Sequence, residues 1–239
     1  MIDGRSVPVF ELTNRTRDRR FLLTNQDGYE MTYDGLVLVV ERRRSHNWQA
    51  FGSYTFSRTS GLQPSSGTTA GGAQVSTIAP PPVPQGVTFG RDPNDLTNAR
   101  GRLPGDRPHQ FRVMGSVEVP RAGVMVAASM QYFSGKPWAA TALVALPQTN
   151  NQPTQRVQLE PRGSRRLSSQ TLLDMRVSKT FSFGGSRRIE LLLDVLNVLN
   201  ETAEEGLVSE TLFSATFGLP ATFVDPRRAM VGVRLNLGR

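Results

Sequence analysis

The chain carries two histidines, and they are the first residues to ask about chemistry. His46 sits in the turn "RSHN" and His109 opens "HQFRV"; no Asp or Glu stands at metal-ligand spacing from either. There are no cysteines, which removes disulfides, thiolate metal sites and cysteine nucleophiles. "RDPNDLTN", residues 91–98, gathers the oxygen donors Asp92, Asn94, Asp95 and Asn98 in one loop. It departs from a calcium loop, because Leu96 stands where Asp or Asn is needed and no glycine follows. An ordinary Asx-turn explains the same residues. "SGKP", residues 134–137, lacks the earlier glycine of a phosphate loop. Gly-x-Ser-x-Gly and Ser-x-x-Lys are both absent. The expectation is therefore a protein that is not an enzyme, with no catalytic residue, no metal ligand and no cofactor.

The remaining ionisable residues follow a different rule. Asp174 and Arg176 alternate with Leu173, Met175 and Val177 in "LLDMRVSKTFSF", and Phe181 continues the apolar side. Arg112 and Glu118 alternate in the same way with Val113 and Val117. Arg234 stands between Val233 and Leu235, with Val231 on the same apolar side. A period of two is the mark of a strand with one apolar and one polar face. Glu190 and Asp194 interrupt "IELLLDVLNVLN" and join the polar set. That last segment also fits helical spacing, through Leu192, Val195, Leu196 and Leu199. The strand is preferred there because a four-residue turn, "GGSR", ties it to a clear strand.

These strands pair into hairpins: 29–43 with 48–58, 107–119 with 123–135 across "PRAG", and 171–183 with 187–200. A terminal strand covers 227–238, and "VPVFELTN" at 7–14 is a candidate eighth. Between hairpins lie three long connections, 59–105, 136–169 and 201–226, rich in Gly, Ser, Thr, Pro, Asn and Gln. Short and long connections alternate, so all short turns fall at one end of the sheet and all long loops at the other. An outer-membrane barrel sorts its connections in this way, with short periplasmic turns and long extracellular loops. A soluble sandwich has mostly short connections.

Composition agrees with strands in lipid as readily as with a soluble fold. Only 38% of residues are hydrophobic, and no run of roughly 20 apolar residues makes a membrane helix. Barrel strands need only about 10 alternating residues each, so a barrel looks mildly hydrophilic. The net charge is +8, and only Lys136 and Lys179 among the 28 basic residues are lysines. The arginines are spread along the chain with no basic helical stripe, so no nucleic-acid partner is expected.

Seven phrases together resemble the C-terminal barrel of TonB-dependent outer-membrane receptors, in the group that carries a carboxypeptidase-regulatory-like domain. They are "TNQDGYEMTYDGLVLVVERR", "WQAFGSYTFSRTSG", "LPGDRPHQFRVMGSVEVP", "YFSGKPW", "LLDMRVSKTFSFG", "RRIELLLDVLNVLNE" and "VDPRRAMVGVRLNL", in that order between residues 24 and 238. The resemblance implies a 22-stranded barrel around a plug, taking up a siderophore, cobalamin or oligosaccharide. Its partners would be outer-membrane lipid, the plug and the energy-coupling protein TonB. Two departures stand out: the chain ends Leu237, Gly238, Arg239 where such receptors end in an aromatic residue, and "MIDGRSVPVFEL" is no signal peptide.

The expected fold is thus all-β: an antiparallel up-and-down meander of seven or eight transmembrane strands. It would form the C-terminal part of a large outer-membrane barrel, with the plug domain absent from residues 1–239. Arg112, Glu118, Asp174, Arg176, Glu190, Asp194 and Arg234 are expected to face the lumen. Val113, Val117, Leu173, Val177, Phe181, Val231, Val233 and Leu235 are expected to face lipid. Trp48, Tyr54, Tyr132 and Trp138 are candidates for an interfacial girdle. A complete eight-stranded barrel with a structural or binding role, and a soluble β-sandwich, remain as alternatives.

Overall fold

The computed structural model describes residues 4–11, 30–62, 93–146, 154–183 and 187–237. Seven long strands form one antiparallel sheet: β1 (Met31–Ser45), β2 (Trp48–Gly61), β4 (His109–Val119), β5 (Val124–Phe133), β10 (Gln170–Ser182), β11 (Arg188–Leu196) and β14 (Arg228–Asn236). Each pairs with the next in chain order, as expected of a meander. They run 9 to 15 residues, long enough to cross a bilayer at a tilt. Short strands lie in the connections: β3 (Gly101–Arg102) extends the sheet beside β2, and three two-stranded pairs stand apart. These are β6 (Pro137–Trp138) with β9 (Arg165–Arg166), β7 (Thr141–Ala145) with β8 (Thr154–Gln158), and β12 (Glu204–Leu207) with β13 (Pro220–Phe223).

The tight turns explain the hairpins locally. His46 and Asn47 both take left-handed backbone, φ 52° and 62°, which gives the two-residue turn whose twist matches paired strands. Pro120–Ala122 make one 3-10 turn, closed by Gly123 at φ 59°. The stretch 187–200 is a strand and not a helix, but it stops at Leu196. Asn197 follows at φ 49°, and that left-handed residue ends the ladder four residues before the expected boundary.

The three stretches expected as plain loops hold more structure than composition implied. β2 runs on to Gly61, and β3, β6 to β9, β12 and β13 all lie between the long strands. The close-packed interior of the described chain is also there. Its buried apolar residues are Ala99, Leu103, Ala139, Ala140, Ala142, Val157, Leu159, Ala203 and Val224, none of them in the seven long strands. Two glycines permit this packing. A Cβ on Gly135 would sit 1.7 Å from the Leu167 carbonyl oxygen, and one on Gly101 would sit 2.1 Å from that of Arg162.

The described part of the candidate eighth strand, 7–11, does not join the sheet. Val7 and Val9 pack instead against Ala142, Val157 and Leu159 in the loop layer. Residues 12–14 of that candidate lie outside the described residues. Seven strands alternating in direction leave β1 and β14 running the same way. Antiparallel closure of one on the other is thereby ruled out for this sheet, because it needs an even number of strands. Among the described residues no second large sheet faces this one as in a sandwich.

Candidate functional site

Register places every expected polar residue on one face of the sheet. Arg112 lies opposite Gln131, which lies opposite Leu172, two residues before Asp174. Glu118 lies opposite Met125, and Met125 opposite Ser178. Arg176 faces Asp194 across the β10–β11 ladder, and Glu190 faces Arg234 across β11–β14. These cross-strand neighbours make ion pairs. Arg176 Nε donates to Asp194 Oδ1 at 2.5 Å and Nη2 donates to Oδ2 at 2.8 Å. Arg234 Nη1 donates to Glu190 Oε2 at 2.8 Å. Arg44, from the end of β1, pairs with Glu118. A hollow of about 770 Å³ opens on this face, lined by Phe51, Met114, Met125, Arg176, Asp194 and Met230 among others.

The opposite face is mainly apolar, with its charges toward the two ends. One cross-strand row reads Trp48, Val117, Val126, Val177, Leu193, Val231. Val113 and Leu173 both lie opposite Met130, while Phe181 and Leu235 both lie opposite Ile189. Val233 lies opposite Leu191. No described layer covers these side chains: Val231 is 79% exposed, and Val233 and Leu235 are 61%. All eight apolar residues expected to act together thus share this face, and the seven ionisable ones share the other.

The aromatic candidates divide. Tyr54, Phe111 and Tyr132 form one row on the apolar face, and Trp48 lies on it near the turn. Trp138 does not belong with them. It lies in the loop layer on β6, edge-on to Phe217 at 5.8 Å and beneath the Arg165 guanidinium at 5.1 Å. Its place is set by the β6–β9 pairing, which lies far along the chain and leaves no local pattern.

Two carboxylates organise the loop layer, and the sequence alone did not single them out. Asp106 is fully buried. It pairs with Arg166, whose Nη1 also donates to the Asp106 carbonyl at 2.8 Å, and its Oδ1 accepts the Thr59 backbone N–H at 2.6 Å. Glu160 accepts from Arg165 Nε at 2.8 Å and Nη2 at 2.7 Å, from Arg5 at 2.6 Å and from Ser164 at 3.0 Å. The Arg165 hydrogen bonds, ahead of the opposing cost of burial, hold its carboxyl well below the usual range. Glu204 is lowered by its hydrogen bond with Ser168. Glu210 goes the other way: burial pushes it up to about 7, against the attraction of Arg156. Burial also lowers the guanidinium pKa values of Arg107 and Arg162.

The residues first questioned for metal chemistry have structural tasks. His46 Nδ1 meets Ser45 Oγ at 2.8 Å, and His109 Nδ1 meets the Tyr54 hydroxyl at 2.8 Å. Asn94 exchanges two hydrogen bonds of 2.8 Å with the Phe10 backbone, and Asn98 donates to the Gln158 carbonyl at 2.9 Å. Asp92 lies outside the described residues. Among the described residues no three His, Asp or Glu side chains cluster in a metal-binding arrangement.

No protein-family model matches the sequence, and no curated protein matches it. Among solved structures the chain is similar to the outer membrane transporter YddB from Escherichia coli, with a TM-score of 0.44 and 13% sequence identity. The match covers 85% of this chain and 25% of that one, so this chain spans a quarter of the transporter's length. The likeness is distant and concerns the fold.

Proposed function

We propose that this chain is the C-terminal wall of the barrel of a TonB-dependent outer-membrane receptor. The complete receptor imports a siderophore, cobalamin or oligosaccharide. The apolar face lies against lipid, and Arg112, Glu118, Asp174, Arg176, Glu190, Asp194 and Arg234 line the lumen. The observation that carries this reading is the uncovered apolar face. Its valines and leucines are more than half exposed at Val231, Val233 and Leu235, yet they form continuous cross-strand rows. In water such a surface drives association, whereas in a bilayer it is the solvated state. The sorting of connections supports the same reading, with short turns at the periplasmic end and folded loops outside.

The chain contributes wall and loops, and no chemistry of its own. Energy reaches the receptor from the inner membrane through TonB and the plug, which are partners and not part of this sheet. Substrate contacts available to this chain lie in the stretches 59–105, 136–169 and 201–226. Because β1 and β14 run in the same direction, the sheet fits a larger barrel better than a closed barrel of eight strands. Unpaired strand edges do not sit in hydrocarbon, so the chain alone is expected not to transport. The test is reconstitution into liposomes with the coupling system and radiolabelled siderophore or cobalamin. No uptake is expected from this chain alone, and saturable, energy-dependent uptake would overturn the reading. Remaining monodisperse without detergent would overturn the membrane placement itself.

A further inference from the structure

The two ends of the sheet treat their charges differently. At the loop end several arginines are matched: Arg5 and Arg165 meet Glu160, Arg166 meets Asp106, and Arg100 meets Glu30. At the short-turn end the three carboxylates among the described residues are already taken. Glu41 is 3.8 Å from Arg43, Glu118 pairs with Arg44, and Glu190 is 2.8 Å from Arg234. Arg42, Arg121, Lys179, Arg187 and Arg188 stand at the same end with no carboxylate partner among the described residues.

Two of those cations lie on the apolar face. Arg42 follows Leu38 and Val40 at alternate positions and lies opposite Ala50, two residues from Trp48. Its guanidinium carbon sits 3.9 Å from the Trp48 ring centroid. Lys179 lies opposite Val124 and Leu191, beside the turn that ends at Gly123. Its Nζ is 5.5 Å from the Phe181 ring centroid. A cation braced on an aromatic ring, on an apolar surface and next to a turn, has its stem in hydrocarbon and its head in the interface.

We propose that this end of the sheet binds anionic phospholipid headgroups, with Arg42 and Lys179 as the contacts on the lipid side. The proposal rests on the membrane placement above. Charge complementarity selects the occupant: the cations left over at this end have no carboxylate partner among the described residues, and Arg42 and Lys179 stand where a lipid phosphate would lie. Arg121 and Arg187 add to the field from the turns.

The test is flotation of the refolded full chain with phosphatidylcholine vesicles, with and without phosphatidylglycerol. The anionic lipid should raise capture. The double variant Arg42→Gln/Lys179→Gln should lower partitioning onto the anionic vesicles about thirtyfold, the roughly 2 kcal/mol that two interfacial cations supply. A charge-matched variant at the other end, Arg100→Gln/Arg227→Gln, should keep it. Equal losses in the two variants, capture indifferent to phosphatidylglycerol, or no capture at all would each overturn the proposal. Should the first variant fail on neutral vesicles too, Arg42→Lys/Lys179→Arg decides. It keeps both charges and should keep the gain, and losing the gain would overturn the proposal. Insertion into neutral and anionic vesicles alike sinks this inference and leaves the membrane placement standing. A chain that stays monodisperse without detergent sinks the placement.

Discussion

Arg176 on β10 lies directly across from Asp194 on β11, and its guanidinium grips both carboxylate oxygens, at 2.5 and 2.8 Å. The arginine side chain is 47% exposed and the aspartate 19%, so the pair is partly open to solvent and not shut in a core. A charge pair in water is weak and screened by salt, while a buried one is not. Removing either partner is therefore expected to shift the unfolding midpoint slightly in dilute buffer and not at all in molar salt. Urea titrations of Arg176→Ala, Asp194→Ala and the double variant check this. A large, salt-independent coupling would mean that the face is dry.

The two faces should respond differently to a polar side chain. Val233 on the apolar face and Gly232 on the polar face are chain neighbours. Val233→Arg is expected to cost about 2–4 kcal/mol if it sits near the bilayer midplane. Gly232→Ser should be close to neutral, since a Cβ there meets Leu192 Cδ1 at 3.6 Å, an ordinary contact. Folding titrations from lipid vesicles measure both, and equal costs would contradict the assignment of faces.

Asn197 is buried, left-handed at φ 49°, and tied on every side. Its Nδ2 donates to the Glu201 carbonyl at 3.0 Å and to the Asp225 carbonyl at 2.8 Å, and its Oδ1 accepts from Glu201 N at 2.8 Å. Its own backbone N–H donates to Asp174 Oδ1 at 2.8 Å. Asn197→Ala loses the side-chain bonds and keeps the strained backbone, for a cost of about 3 kcal/mol. Asn197→Gly should recover about 1 kcal/mol of that by relieving the backbone alone. Denaturant midpoints of the two variants give the difference, and a Gly variant less stable than the Ala variant would contradict the left-handed assignment.

The loop layer should respond to pH through two carboxylates of opposite sign. Glu210 is pushed up to about 7 by burial, so the folded state holds a proton that the unfolded chain has released. Its contribution is present below the ordinary glutamate range and lost as pH rises from there through about 7. Glu160 is lowered, so its contribution is present above the ordinary range and lost on acidification through and below it. Protease protection of the loops against pH reads both. Glu210→Gln should remove the decline toward neutral pH, and Glu160→Gln should blunt the acid limb while lowering protection at pH 7.

The strand pattern was legible in the sequence because side-chain alternation is a property of the extended backbone itself. Val231, Val233 and Leu235 share a face whatever else the chain does, and Arg234 takes the other. The hairpins were legible for a similar local reason: "HN" and "PRAG" are turn sequences joining neighbours in the chain. Alternation cannot say where a ladder stops, so Leu196 as the end of β11 needed Asn197 and its partners Glu201 and Asp225. Nor does it reveal contacts between distant segments. Arg166 and Asp106 are 60 residues apart, Arg5 and Glu160 are 155, and Trp138 meets Phe217 through a pairing of two-residue strands. Such contacts depend on which loops are brought together at one end of the sheet, and the meander's tertiary arrangement decides that. The buried residues of the loop layer, Ala142, Val157 and Leu159, follow from the same cause, since Val7, Val9 and Leu212, remote in the chain, pack against them.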